Sequence, residues 1–258
     1  MISGYPIWIV AIICVGVFVA SFIDAIGGGG GLISLPVYLL SGLPPHLALA
    51  TNKLSATIGT TASTARYIKK GFFNLKLAIP SIVLGVGGSY IGASLQLSLP
   101  EKYVKYVLVA ILPIIAVIML KKKTFSENPE YIEPKKQAAI VFAASLIIGI
   151  YDGFYGPGTG TFLYIAFCRF AKMDLKTAAG NVKLVNLASN IGALVTYLVA
   201  GKAIITIGLI AGAFAFAGQF VGAGLLIKNS TKIVTPVILT VLAILLVKTI
   251  LELCGIAI

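Results

Sequence analysis

Residues 53 to 117 of this chain recur, weakly but in register, 130 positions further on, inside a sequence that is apolar almost throughout. Lys53, Leu54, Tyr67 and Gly71 face Lys183, Leu184, Tyr197 and Gly201 at that single offset. Gly88, Gly92, Ala93 and Leu95 face Gly218, Gly222, Ala223 and Leu225, and Lys102, Val104, Leu112 and Val117 face Lys232, Val234, Leu242 and Val247. Upstream, Asp24 with its run of glycines faces Asp152 with Gly-Phe-Tyr-Gly-Pro-Gly-Thr-Gly at an offset of 128. A duplicated apolar chain is the signature of a transporter-like bundle built from two related halves.

The composition leaves one solvent for such a chain. With 59% hydrophobic and 11% charged residues, it carries about half the charge of a soluble domain and belongs in a bilayer. Ten apolar segments follow one another, at 7–22, 27–42, 46–68, 77–99, 103–120, 137–151, 158–170, 178–200, 203–227 and 233–254. Most have the ~17–25 residues a spanning helix needs. The second, sixth and seventh are shorter, which suits re-entrant segments or a thin bilayer as well as full spans. The expected fold is an all-α polytopic membrane protein.

A net charge of +12 could point to nucleic acid, but in a membrane protein an excess of Lys and Arg records orientation. If all ten segments cross, fourteen basic residues, among them Arg66, Lys69, Lys70, Lys76, Lys121, Lys135, Arg169 and Lys228, fall on one face. Only Lys102, Lys105 and Lys202 fall on the other. That bias places the first group in the cytoplasm and both termini outside, in an inner or plasma membrane. No basic residue precedes the first apolar run, which argues against a cleaved secretory signal. Cys14, Cys168 and Cys254 sit among apolar residues without metal-ligand spacing and read as small hydrophobes.

The one stretch polar enough to act as a linker is 121–136, with two prolines and mixed charge; it separates repeat one (1–120) from repeat two (137–258). Five segments per half is an odd number, so the second half enters the membrane upside down and the two repeats are inverted, an arrangement that puts a substrate site where they meet. The loop charges agree: the basic cluster Arg66, Lys69, Lys70 and Lys76 has dwindled to Lys202 in its counterpart, while Lys228 and Lys232 lack the acidic neighbour that Glu101 gives Lys102 and Lys105.

Two constellations can carry chemistry. The first is the pair of glycine-rich stretches, Gly27, Gly28, Gly29, Gly30 and Gly31 in one half and Gly156, Pro157, Gly158, Thr159, Gly160 and Thr161 in the other. Glycine costs a helix about 1 kcal/mol per residue relative to alanine, so the chain is expected to unwind there. A helix starting just afterwards, at Leu32 or Thr161, would offer free amides and its positive dipole end to an anion. Tight helix packing is the other use of such glycines. A nucleotide-binding loop does not fit, because no Gly-Lys-Ser/Thr follows.

The second constellation is Asn52, Lys53 and Thr57, continuing to Thr60 and Thr64, matched by Lys183, Asn186 and Asn190 on one helical face. A lysine at a helix centre costs about 2.5–3.5 kcal/mol on insertion scales, so such residues usually face a cavity or a partner. Snorkelling to the headgroups is the alternative. Asp24 and Asp152, bordering the glycines, read either as proton or cation carriers or as capping carboxylates at the membrane edge. His46, after Pro44-Pro45, reads as an interfacial loop histidine.

The residues from Asp24 through Gly31, Leu43 to Lys53, Gly156 to Gly160 and Asn186 to Asn190 resemble the TauE/SafE family of membrane proteins over essentially the whole chain. The resemblance implies secondary transport of a small sulfur-containing anion such as sulfite or an organosulfonate. Its motifs carry over to Gly27–Gly31, Asn52, Lys53, Gly156–Gly160, Lys183, Asn186 and Asn190. It requires no cofactor, metal or nucleic acid; a proton or sodium ion would be the coupling partner, and a homodimer is left open. A cation or metabolite carrier using Asp24 and Asp152 is the alternative in the same class. An intramembrane enzyme or a structural subunit is remote, since no Ser/His pair, paired-Asp arrangement or metal cluster stands out.

Overall fold

The computed structural model describes residues 1–100 and 131–228. The expected fifth segment, most of the linker, the tenth segment and Cys254 lie outside the described residues. Within them the fold is helical, without a strand.

Each half repeats one pattern of elements. α1 (Ile7–Gly27) ends where Gly28 and Gly29 take φ of +73° and +84°, values that favour glycine. α2 (Gly31–Leu40) then folds back along α1, with Val37 against Gly16 and Gly30 against Ala20. Pro45 opens α3 (Pro45–Lys69) at a position where the missing N–H is harmless. Asn74 caps α4 (Leu75–Ser98) by accepting from the Lys76 amide. The second half runs α5 (Pro134–Phe154), a break with φ of +94° at Gly156 and +87° at Gly158, α6 (Thr159–Ile165) passing into a π-turn (Ala166–Phe170), α7 (Leu175–Val199) capped by Asp174, and α8 (Ile205–Lys228).

Both glycine stretches therefore unwind as expected, the following helices starting slightly earlier than Leu32 and Thr161. The sixth apolar segment is not short: Pro134, Lys135 and Lys136 form its first turn, so α5 has 21 residues and the linker reaches helix before residue 136. The second and seventh segments do stay short, at 10 and 7 α-helical residues. Among the described residues five helices, α1, α4, α5, α7 and α8, are long and apolar enough to cross a membrane. α3 matches them in length but is too polar to qualify, because Thr51, Asn52, Lys53, Ser55, Thr60, Ser63 and Thr64 are all buried along it.

Glycines set the packing. Gly88 and Gly92 bring α4 against the α5 backbone at Leu146 and Ile150, and Gly218 and Gly222 bring α8 against the α1 backbone at Phe18 and Phe22. These are the same contact twice with the halves exchanged, since each glycine and each partner recurs at the offset of its repeat. Small residues of this kind let backbones approach closely where lipid gives no hydrophobic drive to associate. α3 and α7 run antiparallel across the centre: Lys53 lies beside Asn190 while Thr64 lies beside Lys183.

Candidate functional site

The two breaks meet face to face. A methyl group at Gly28 would overlap the backbone of Gly160 and Thr161, and one at Gly31 would come 3.0 Å from Pro157 Cα. The backbone groups that unwinding sets free are met by side chains from the opposite half or from the helix beside the break. Tyr67 donates to the Ala25 carbonyl at 2.7 Å and its counterpart Tyr197 to the Gly153 carbonyl at 3.0 Å. Thr161 donates to the Gly27 carbonyl at 3.0 Å, and Tyr151 to that of Pro157. Irregular backbone is sustained inside a membrane protein only when satisfied in this way.

The lysines do not snorkel. Lys53 and Lys183 are 3% and 0% exposed, and each reaches across to the aspartate of the other half. Lys53 Nζ lies 2.7 Å from Asp152 Oδ2 and Lys183 Nζ 2.6 Å from Asp24 Oδ2. Burying a lone ammonium is prohibitive, so each charge is held as half of a pair with further hydrogen bonds around it. Lys53 also donates to Asn190 Oδ1 at 3.0 Å, and Lys183 to the Asp24 carbonyl at 2.6 Å. Asp152 accepts in addition from Ser189 at 2.6 Å and from Thr159 at 2.7 Å. Asp24 accepts from Gln219 Nε2 at 2.7 Å and from the Gly30 amide at 3.0 Å. Neither aspartate is a solvent-exposed loop carboxylate, the Asp24 side chain being 14% and that of Asp152 2% exposed, although Asp24 does accept the Gly30 amide at the start of α2.

Between the pairs lies a small cavity of about 50 Å³, room for a few water-sized groups at ~10–15 Å³ each. From α1 and the first break it is lined by Asp24, Gly30 and Gly31, and from α3 by Asn52 and Lys53. The second half contributes Asp152, Gly156, Gly158, Thr159 and Gly160 with Asn186 and Asn190 of α7. The remaining expected residues stand behind this wall. Gly27, Gly28, Gly29, Pro157 and Thr161 hold the breaks together, Thr57 turns its hydroxyl to the Lys53 carbonyl, and Lys183 is screened by Asp24. Sequence reasoning missed Gln219, Ser21 and Ser34 in the lining. Gln219 had a signal: it is a lone amide within an apolar segment, facing Ser89 in the repeat. His46 is also corrected, since it is 6% exposed in the first turn of α3 and its Nδ1 lies 2.8 Å from Gln96 Nε2 of α4. Cys14 is buried and Cys168 half-buried, both as free thiols.

An apolar body with a polar, charge-neutral chamber at the junction of two broken helices provides a place for a small solute in passage, which is the work of a membrane transporter. Residues 12–249 match the family model described as sulfite exporter TauE/SafE, and the chain belongs to that family. It is 33% identical over 235 residues to the probable membrane transporter protein ORF9 of Sinorhizobium sp, covering 90% of this chain and 89% of that one. It is 34% identical over 237 residues to the probable membrane transporter protein YfcA of Escherichia coli K12, covering 89% and 85%. A probable membrane transporter protein of Haemophilus influenzae is 32% identical over 229 residues, covering 87% and 88%. No solved structure matches.

Proposed function

We propose that this chain is a secondary transporter that moves a small sulfur-containing anion, sulfite or an organosulfonate, by alternating access between two inverted five-segment repeats joined by a cytoplasmic linker. The observation that carries this reading is the cavity where the two breaks meet, lined by a lysine ammonium, the asparagine amides and the Thr159 hydroxyl, donors suited to the oxygens of an oxyanion. The description of the family supplies the sulfur chemistry. The antiparallel run of α3 against α7 and the exchanged glycine contacts support inversion, since matched helices of inverted halves point in opposite directions. In this reading Gly27–Gly31 and Gly156–Thr161 frame the substrate, Asn52, Lys53, Thr57, Lys183, Asn186 and Asn190 serve it, and Asp24 and Asp152 carry the coupling ion. A cation carrier using Asp24 and Asp152 is the weaker reading, because the family description names an anion, sulfite.

The test is uptake of labelled sulfite and of organosulfonates by the purified chain in liposomes under imposed pH or sodium gradients. Sulfite uptake that other anions inhibit and cations do not is the expected result. Uptake of none of these anions, with the protein folded and inserted, overturns the reading.

A further inference from the structure

The donors around Asp24 have the chemistry of an oxyanion site, and the anion in it is the protein's own side chain. Oδ2 receives Lys183 Nζ at 2.6 Å and Gln219 Nε2 at 2.7 Å, while Oδ1 receives the Gly30 amide at 3.0 Å at the start of α2. An ammonium, a side-chain amide and a backbone amide converging on two oxygens would serve a sulfite or sulfonate group equally well. The Lys183 side chain is fully buried, whereas that of Asp24 is 14% exposed and lines the cavity. A solute in the chamber therefore meets Lys183 only by taking the place of the carboxylate.

We propose, building on the anion-transport reading, that Asp24 is a tethered stand-in for the transported anion: the anion enters by displacing its carboxylate from Lys183, Gln219 and the Gly30 amide, and the displaced carboxylate takes up a proton from the same aqueous face. Charge accounts for the second half of this step. The resting pair of Lys183 and Asp24 is neutral. An anion added alone would leave two negative groups beside one buried ammonium, a state that low dielectric penalises heavily. One proton on Asp24 restores neutrality, so a monoanion travels with one proton, and both leave together when the carboxylate regains Lys183 on the far side.

Gln219 is placed for both states. Its side chain is buried and its Oε1 has no hydrogen-bond partner among the described residues, while Nε2 serves the ionised carboxylate. A protonated Asp24 needs an acceptor, and that oxygen is one. The titratable and charged groups that face Asp24 are Lys183 from α7, Lys53 and Tyr67 from α3, and Tyr164 from α6, with Asp152 of α5 across the same cavity. Asp152 differs: its side chain is only 2% exposed, and Ser189 and Thr159 hold it together with Lys53. Ser89, the counterpart of Gln219, turns instead to the Val86 carbonyl. The exchange is thus assigned to Asp24, which narrows to one half the coupling role proposed above for both aspartates.

The experiment uses sulfite as the probe and the full chain in liposomes, first for uptake and then for an infrared difference spectrum on sulfite addition. Sulfite is expected to produce a protonated-carboxyl stretch together with loss of carboxylate signal, present in the wild type and absent in Asp24→Asn. With its internal competitor removed, Asp24→Asn is expected to bind sulfite about tenfold more tightly, as for a site whose open form is populated about one part in ten, and to lose accumulation driven by a pH gradient. Gln219→Leu is expected to weaken apparent sulfite affinity about tenfold, the effect of the one hydrogen bond, from protonated Asp24 to Oε1, that the exchanged state has and the resting state lacks. If Asp24→Asn fails to fold, the wild-type spectrum and Gln219→Leu decide. Sulfite uptake without a protonated-carboxyl band overturns this inference and leaves the transport reading standing, whereas absence of uptake of every anion overturns the transport reading and this inference with it.

Discussion

Two buried ammonium groups would normally destabilise a helical bundle, and here each is matched by a carboxylate from the other half. Removing one partner of such a pair leaves a bare charge and typically costs about 3–5 kcal/mol, while removing both can be close to neutral. Lys53→Met and Asp152→Asn are therefore each expected to lower the unfolding temperature of the detergent-solubilised protein sharply, and the double variant to recover most of the loss. Additive losses in that cycle would show that the pair is not coupled. The tyrosines make a milder case. Tyr67→Phe and Tyr197→Phe each release one carbonyl at a helix break, a loss of about 0.5–1.5 kcal/mol apiece. Thermal unfolding of the two variants should show small and similar shifts, because the hydroxyls do the same job in the two halves. At this scale the lysines were legible from their matched positions in otherwise apolar runs, and so were the aspartates beside the glycines. That Lys53 would meet Asp152 and Lys183 meet Asp24 was not, because the repeat aligns each residue with its own counterpart and does not say which half it touches. His46 was misread for a related reason: its partner, Gln96, lies at the far end of the next helix.

Helices in this molecule meet through glycine, and not every glycine matters. At Gly92 an added methyl would run into the Ile150 carbonyl oxygen, a backbone atom that cannot move aside without shifting α5, whereas at Gly87 it would find nothing within 4 Å among the described residues. Overpacking costs about 1–3 kcal/mol, and an open helical site gains up to about 1 kcal/mol from alanine. Gly92→Ala should destabilise the protein and reduce the folded fraction on size exclusion, and Gly87→Ala should leave it unchanged or slightly improved. Equal behaviour of the two variants would contradict the packing described for α4. The elements themselves were largely legible, since apolar run length and glycine runs mark where a helix can persist. Apolarity alone makes the sixth segment too short, because Pro134, Lys135 and Lys136 start its helix without being apolar. α3 shows the converse: its buried polar face lowers its apolarity yet belongs to a full 25-residue helix.

For the whole molecule, the proposal that the repeats are inverted makes a demand that no local contact can meet. The loop between α3 and α4 and the loop between α7 and α8 occupy equivalent places in the two halves, with Gly71 and Gly201 at matched positions, φ of +70° and +66°, and no described residue within 4 Å of an added Cβ at either. If the halves are inverted, these loops lie on opposite faces of the membrane. In the proposed orientation the first, with Lys69, Lys70 and Lys76, lies in the cytoplasm and the second, with the single Lys202, outside. After replacing the native cysteines Cys14, Cys168 and Cys254, a single cysteine at Gly201 should react with a membrane-impermeant thiol reagent added to intact cells. A single cysteine at Gly71 should react only in inside-out vesicles. The positive φ makes each substitution mildly strained, which lowers yield without changing which face is labelled. Labelling of both from one side would mean parallel halves. In that case the antiparallel run of α3 and α7 would need a different origin, and alternating access between inverted repeats would lose its basis.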